Sequence, residues 1–173
     1  MAHTVEPASS GRAKCRGCGQ AIAKGELRFG ERLPNPFADD GDMTLWFHPL
    51  CAAYKRPESL AEVLEGSGVE DEAGLHKIID FGINHRRIPR INGIQRASSA
   101  RARCRSCKEP IVKDDWRIPL VLFDDGMFNA SGYVHLSCVA EYFETSDILD
   151  RIQHFAKEPL SDEDLAQVGD HLA

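Results

Sequence analysis

Two stretches of the chain read as β-strands, residues 27–33 and 116–123. The second is crowded with the apolar and β-branched types that strands favour, Ile118, Leu120, Val121 and Leu122. Each is followed by a Gly/Asp-rich turn, over residues 38–42 and 124–126. Helical patterning comes after each strand pair. Ser59 and Glu62 have capping-box spacing for a helix over 59–64, and residues 70–83 place Leu75, Ile78 and Ile79 on one face. Further on, Ser146 stands ahead of Ile148, Leu149, Ile152 and Phe155 at amphipathic spacing, and Ser161 with Asp164 announces a last short helix. The longest apolar run, 118–123, is interrupted by Pro119 and falls far short of the ~20 residues of a membrane span.

These elements come in two sets because the chain repeats itself. Ser9-Ser10-Gly11-Arg12-Ala13-Lys14-Cys15-Arg16-Gly17-Cys18 returns as Ser98-Ser99-Ala100-Arg101-Ala102-Arg103-Cys104-Arg105-Ser106-Cys107. The match continues through Ile22 with Ile111, Lys24 with Lys113 and Arg28 with Arg117. A second block, Trp46-Phe47-His48-Pro49-Leu50-Cys51, answers Tyr133-Val134-His135-Leu136-Ser137-Cys138, and a short helix is expected near each His-x2-Cys. The expected organisation is a flexible N-terminus at 1–8, a first module at 9–83, a basic linker at 84–97 and a second module at 98–173.

All six cysteines lie in the two copies, three in each, and each copy adds one histidine in register. The patterns are Cys15-x2-Cys18-x29-His48-x2-Cys51 and Cys104-x2-Cys107-x27-His135-x2-Cys138. A two-residue spacer lets two side chains of one tight turn converge on an ion. Four sulfur and nitrogen ligands with no open position describe a structural Zn²⁺ site rather than a catalytic one. Two structural Zn²⁺ ions, one per module, are therefore expected; iron–sulfur ligation is the other metal option, and three Cys with one His are unusual for it. Residues 1–10 have no apolar core of the secretory type, and a reducing compartment suits metal-bound thiols.

Net charge is −6, which by itself argues against nucleic acid, but the charge is segregated. Residues 82–108 carry eight Lys/Arg and no acid, and residues 11–33 carry six against two acids. Residues 58–80 hold one base against seven acids, and 141–173 two against nine. The cysteine turns and the linker are basic and the helical appendages acidic, so one face can bind phosphate despite the overall sign.

The ligand spacing, the aromatic before the first His, the phrase Ser10-Gly11-Arg12-Ala13-Lys14-Cys15 and the strand entries Lys24-Gly25-Glu26-Leu27-Arg28 and Lys113-Asp114-Asp115-Trp116-Arg117 resemble the PARP-type zinc finger. These are the DNA-break-sensing fingers of poly(ADP-ribose) polymerases and of one eukaryotic DNA ligase. The second spacer, 27, is one shorter than the family's usual range. The resemblance implies small α+β zinc-stabilised modules, each a short antiparallel sheet plus helices, that recognise nicks, gaps and ends rather than base sequence. It implies phosphate contacts from Arg12 and Arg28 and their counterparts Arg101 and Arg117, with Arg16 and Arg105 in the cysteine turns completing the basic set. Stacking on the terminal base pair is expected from the loop before each His: Phe37, Met43 and Leu45 in the first copy, Met127 and Phe128 in the second. Trp46, Phe47 and Tyr133 flank a ligand and read as core.

Nothing in the chain resembles an ADP-ribosyltransferase domain, a P-loop, a nucleophile elbow or an adenylation lysine motif. The expectation is a stand-alone break sensor or adaptor, not an enzyme, whose partners are broken DNA and a repair enzyme such as a DNA ligase, with no membrane. The competing reading is a zinc-stabilised scaffold that works through its acidic helices. Localisation is expected to be cytoplasmic, with the bacterial nucleoid, or nuclear in a eukaryote.

Overall fold

A computed structural model describes residues 2–173, which divide into two compact units at residues 84/85. The first unit holds an antiparallel sheet of β1 (Thr4–Pro7), β2 (Leu27–Pro34) and β3 (Asp42–Phe47), with β2 in the middle. Helices α1 (Pro49–Lys55), α2 (Pro57–Ala61) and α3 (Glu72–Asn84) follow. The second unit repeats the sheet with β4 (Gln95–Arg96), β5 (Trp116–Asp124) and β6 (Met127–His135), and adds α4 (Val139–Phe143), α5 (Leu149–Phe155) and α6 (Asp162–Leu172). The α+β expectation holds in both units. Among the described residues no helix is long and apolar enough to cross a membrane.

Each central strand buries one face against the helices that follow it. Ile22, Phe29, Phe47, Leu60 and Ile79 are fully enclosed in the first unit, with the Phe29 and Phe47 rings 6.0 Å apart. Ile111, Ile118, Val134, Phe143, Ile152 and Val168 do the same in the second. Cores of this size are marginal alone, and metal staples supply what area does not.

The repeat extends further toward the N-terminus than the sequence match. The N–H of Ala8 donates to Glu26 O and that of Gly25 to Ala8 O, both at 2.8 Å; Ala97, Asp115 and Asp114 form the same pair of bonds at 2.8 Å. So β1 and β4 are equivalent edge strands, although Thr-Val-Glu-Pro and Gln-Arg match only where Glu6 answers Gln95. Residues 4–7 are thus a strand and not a flexible lead-in; Met1 lies outside the described residues. Likewise residues 85–97 are not a linker. Ile88, Ile91, Ile94 and Ala97 are buried, and a 3-10 turn (Ile88–Arg90) and β4 build them into the second unit. Both segments were illegible because an edge strand borrows its order from its partner's backbone.

Two helix starts also differ from expectation. α2 begins at Pro57, whose fixed φ suits a first helical position, and Ser59 donates its hydroxyl to Glu31 instead of capping. Ser146 makes no side-chain cap for α5. The box at α6 forms as expected: the Asp164 N–H donates to Ser161 Oγ at 3.0 Å and the Ser161 N–H to Asp164 Oδ2 at 3.4 Å.

Candidate metal centres and nucleic-acid interface

Each Cys-x2-Cys turn sits between the edge strand and β2 or β5, and each His-x2-Cys lies at the exit of β3 or β6. In the first unit a bridge between Lys14 and Ala21 closes the turn, and the Gly19 N–H donates to Cys15 O at 2.8 Å. Backbone N–H groups of Gly17 and His48 both point at Cys15 Sγ at 3.3 Å. The second unit repeats this, with Ser106 and His135 donating to Cys104 Sγ at 3.3 Å. Such donors favour thiolate over thiol and orient its remaining lone pairs.

The four donor atoms of each set lie within 4.8 Å of one another. His48 Nδ1 is 3.4 Å from Cys18 Sγ and 3.9 Å from Cys51 Sγ; His135 Nδ1 is 3.3 Å from Cys107 Sγ and 3.8 Å from Cys138 Sγ. A tetrahedron with Zn–S of ~2.3 Å and Zn–N of ~2.0 Å needs edges of this length. The outer nitrogen of His135 also has a partner, with Nε2 3.2 Å from Pro110 O, while His48 Nε2 has the Glu26 carboxylate in its vicinity at 3.9 Å, beyond hydrogen-bond reach. An acceptor on Nε2 holds the proton there and leaves Nδ1 to the metal. The eight residues fit two structural zinc ions, and the metal at each would hold turn, sheet and helix together.

The two centres differ in shielding. Cys15 and Cys51 are buried, whereas Cys107 is exposed and Cys138 only half-buried. In the absence of metal, a hydrogen bond from Cys51 holds Cys15 down at about 4, and the same bond together with burial pushes Cys51 far up. In the second set burial is the largest influence on Cys104, but donors from His135, Cys107 and Ser106 outweigh it and bring the thiol to about 7. Burial raises Cys138 to about 12. Lys55, buried beside the first set, is lowered to about 8 by desolvation, against the pull of the neighbouring thiolates.

The candidate DNA contacts separate into two groups. Arg12, Arg16, Arg101 and Arg105 are exposed around the cysteine turns. Arg28 and Arg117 are not surface charges, with only 7% and 5% of their area accessible. Each guanidinium lies on an aromatic ring of the neighbouring strand, Arg28 over Trp46 at 3.5 Å and Arg117 over Tyr133 at 3.7 Å. Each is also tied to the edge strand: Arg28 Nη2 is 3.4 Å from Glu6 Oε1, and Arg117 donates from Nε and Nη2 to Gln95 Oε1 at 3.0 and 2.8 Å. Stacking and edge-strand bonds hold both side chains against the sheet. Glu6 and Gln95 are the partners that sequence reasoning missed, and their shared spacing from Arg28 and Arg117 was the available signal.

Among the loop residues, Phe37 stands 85% exposed in the β2–β3 loop, where Asn35 Oδ1 accepts the Phe37 N–H at 2.9 Å and turns the chain outward. Met43 is half-buried and Leu45 is core. In the second unit the hairpin closes on Asp125 and Gly126, both left-handed at φ 48° and 79°, a tight type I′ signature. Met127 is 53% exposed beside it, and Phe128 packs on Phe123 at 4.9 Å. Phe47 is core as expected, while Trp46 and Tyr133 are half-buried platforms for the two arginines.

Residues 6–80 match the family described as the poly(ADP-ribose) polymerase and DNA-ligase Zn-finger region. A poly(ADP-ribose) polymerase of Sarcophaga peregrina is 32% identical over 160 positions, covering 79% of this chain and 16% of its own length. A polynucleotide 3'-phosphatase of Arabidopsis thaliana is 28% identical over 181 positions, covering 88% of this chain and 26% of its own length. The chain thus spans roughly a sixth to a quarter of the relatives it matches. Residues 6–80 thus carry the PARP-type zinc finger, and the second unit reproduces their ligand set, strand order and backbone bonds.

Proposed function

We propose that this chain is a zinc-dependent binder of broken duplex DNA that serves as a repair sensor or adaptor rather than an enzyme. The observation that carries the reading is the pairing, in each zinc-stapled unit, of exposed arginines at the cysteine turn with an exposed apolar side chain at the strand loop: Arg12 and Arg16 with Phe37, Arg101 and Arg105 with Met127. Arginine forks grip phosphate oxygens without reading sequence. An intact duplex hides its base faces, whereas a nick or an end exposes one, and stacking on it is worth about 1–3 kcal/mol per base. The family match and the names of the relatives, polymerases of ADP-ribose and a polynucleotide phosphatase, support this direction. Both zinc sets are complete with four protein ligands, which suits a structural role.

The test is binding to four duplexes of equal length, intact with capped ends, nicked, gapped and blunt-ended, at about 150 mM salt where phosphate contacts stay salt-sensitive. A preference for broken DNA that disappears on zinc chelation is the expected result. Equal weak binding to all four would refute it and turn attention to the acidic α3 and α6 as docking surfaces for a protein partner.

A further inference from the structure

The pairing of the central strand with the last strand differs between the two units. β3 pairs with β2 without interruption, but β6 is bulged. Pro119 pairs with Tyr133 and Val121 with Ala130, so Ser131 and Gly132 together face Leu120. Gly132 has φ 105°, and a Cβ there would lie 2.5 Å from Arg105 Nε. The bulge therefore makes a seat for the Arg105 side chain, whose Nε donates to Ser131 O at 2.8 Å. Bulges of this kind re-aim side chains near functional sites. The matching position in the first unit is Leu45, a core residue, so Arg16 has no such seat.

Two more cations meet at the same spot. Arg103 Nη1 donates to Lys108 O at 3.2 Å, and Lys108 Nζ donates to Arg105 O at 2.8 Å. Lys108 stands at φ 69°, in the left-handed region where the first unit has Gly19 at φ 78°. A side chain held in that conformation is strained, and strain of this kind gathers at functional sites. Arg103, Arg105 and Lys108 rim a concavity of about 330 Å³ that Ala102, Cys104, Gly132 and Tyr133 complete, with no carboxylate in its lining. Backbone carbonyls fix the three cations and leave both Nη groups of Arg105 and further protons of Arg103 and Lys108 for a ligand.

We propose that this cup is a binding site for a terminal phosphate monoester, so that the second unit reads whether a DNA end carries phosphate or hydroxyl. The inference rests on the break-binding reading and deepens it. Three converging cations match the charge and three oxygens of a monoester, which approaches −2 at neutral pH, better than an internal diester with one charge. The first unit, lacking the third cation and the bulge, has no counterpart.

The experiment has two arms on the zinc-loaded full chain. In the first, nicked duplexes differing only at the nick (5'-phosphate, 3'-phosphate, or hydroxyl at both ends) are titrated at one salt concentration, with wild type, Lys108→Gly and Arg103→Ala/Lys108→Gly. One phosphorylated nick is expected to bind about fivefold tighter than the hydroxyl nick. The double variant is expected to erase that difference and keep its preference for nicked over intact DNA. In the second arm, inorganic phosphate is titrated by amide NMR, with shifts expected at residues 103–108 and not at 14–19. A nick preference with no phosphate discrimination overturns this inference and leaves the break reading standing. Loss of nick preference with phosphate shifts at 103–108 does the reverse. Discrimination that survives in the double variant, or an absence of shifts at 103–108, overturns the cup.

Discussion

Glu31 is fully enclosed in the first unit, and its carboxylate is held by Arg56 Nε at 3.0 and 2.9 Å, by Arg56 Nη2, and by the Ser59 hydroxyl at 2.9 Å. The repeat provides a natural control, because the matching residues of the second unit are apolar and buried: Leu120 and Phe143. Arg56→Ala leaves the carboxylate inside with only Ser59. Breaking a buried pair costs about 3–5 kcal/mol. Arg56 is 23% exposed, which lets water replace part of the guanidinium, so the low end, about 3 kcal/mol, is expected. In a unit of this size that lowers the melting temperature by roughly 15 °C. The double variant Glu31→Leu/Arg56→Phe transplants the second unit's solution and removes both charges together. It is expected to lie within about 1 kcal/mol of wild type, because a packed apolar pair often equals or exceeds a buried ion pair. The chain has two tryptophans, Trp46 in the first unit and Trp116 in the second, so Trp116→Phe leaves a fluorescence probe confined to the first unit. Unfolding is followed in urea with free zinc fixed, since bound metal shifts apparent stability. If the double variant is as unstable as Arg56→Ala, the cost belongs to lost shape rather than to a stranded charge, and the reasoning fails.

Zinc removal is expected to proceed in two phases, the ion of Cys104, Cys107, His135 and Cys138 leaving first because Cys107 is exposed; alkylation mapped by mass spectrometry during chelation checks this, and earlier labelling of Cys15 or Cys51 would refute it. Gly17→Ala puts a Cβ 2.8 Å from the Cys51 Cβ, so it should weaken zinc binding at the first site about tenfold with the second unaffected, as measured by competition with a chromophoric chelator. In DNA binding, Arg12→Gln and Arg101→Gln should each reduce the slope of log K against log salt by about 1 without changing break preference; an unchanged slope places those side chains off the phosphates. Phe37→Ala should lower affinity for nicked DNA by about tenfold and leave binding to intact DNA unchanged, since 1–3 kcal/mol of stacking is available only at a break.

The metal centres were legible in the linear sequence because their chemistry is local. A Cys-x2-Cys turn and a His-x2-Cys turn each hold two ligands within a few bonds of one another, and the duplication at Cys15 and Cys104 showed which residues go together. Strands β2 and β5, helix α3 and the capping box of α6 were legible for the same reason, since periodicity and capping act over a few residues. Edge strands β1 and β4 were not, because their partners, Leu27–Gly30 and Trp116–Arg117, lie some twenty residues away and dictate their conformation through backbone groups that every residue type carries.

The same division separates the arginines. Composition showed a basic chain segment but could not distinguish Arg105 from Arg117. The first is exposed on a bulge, while the second is folded under Tyr133 and bonded to Gln95. A guanidinium's role depends on whether water or a ring covers its face, and that is settled by the register of strands distant in sequence. The residues by themselves determined two metal sites and the ligands of each; only the tertiary structure decided which charges lie exposed, because burial is a property of packing rather than of sequence.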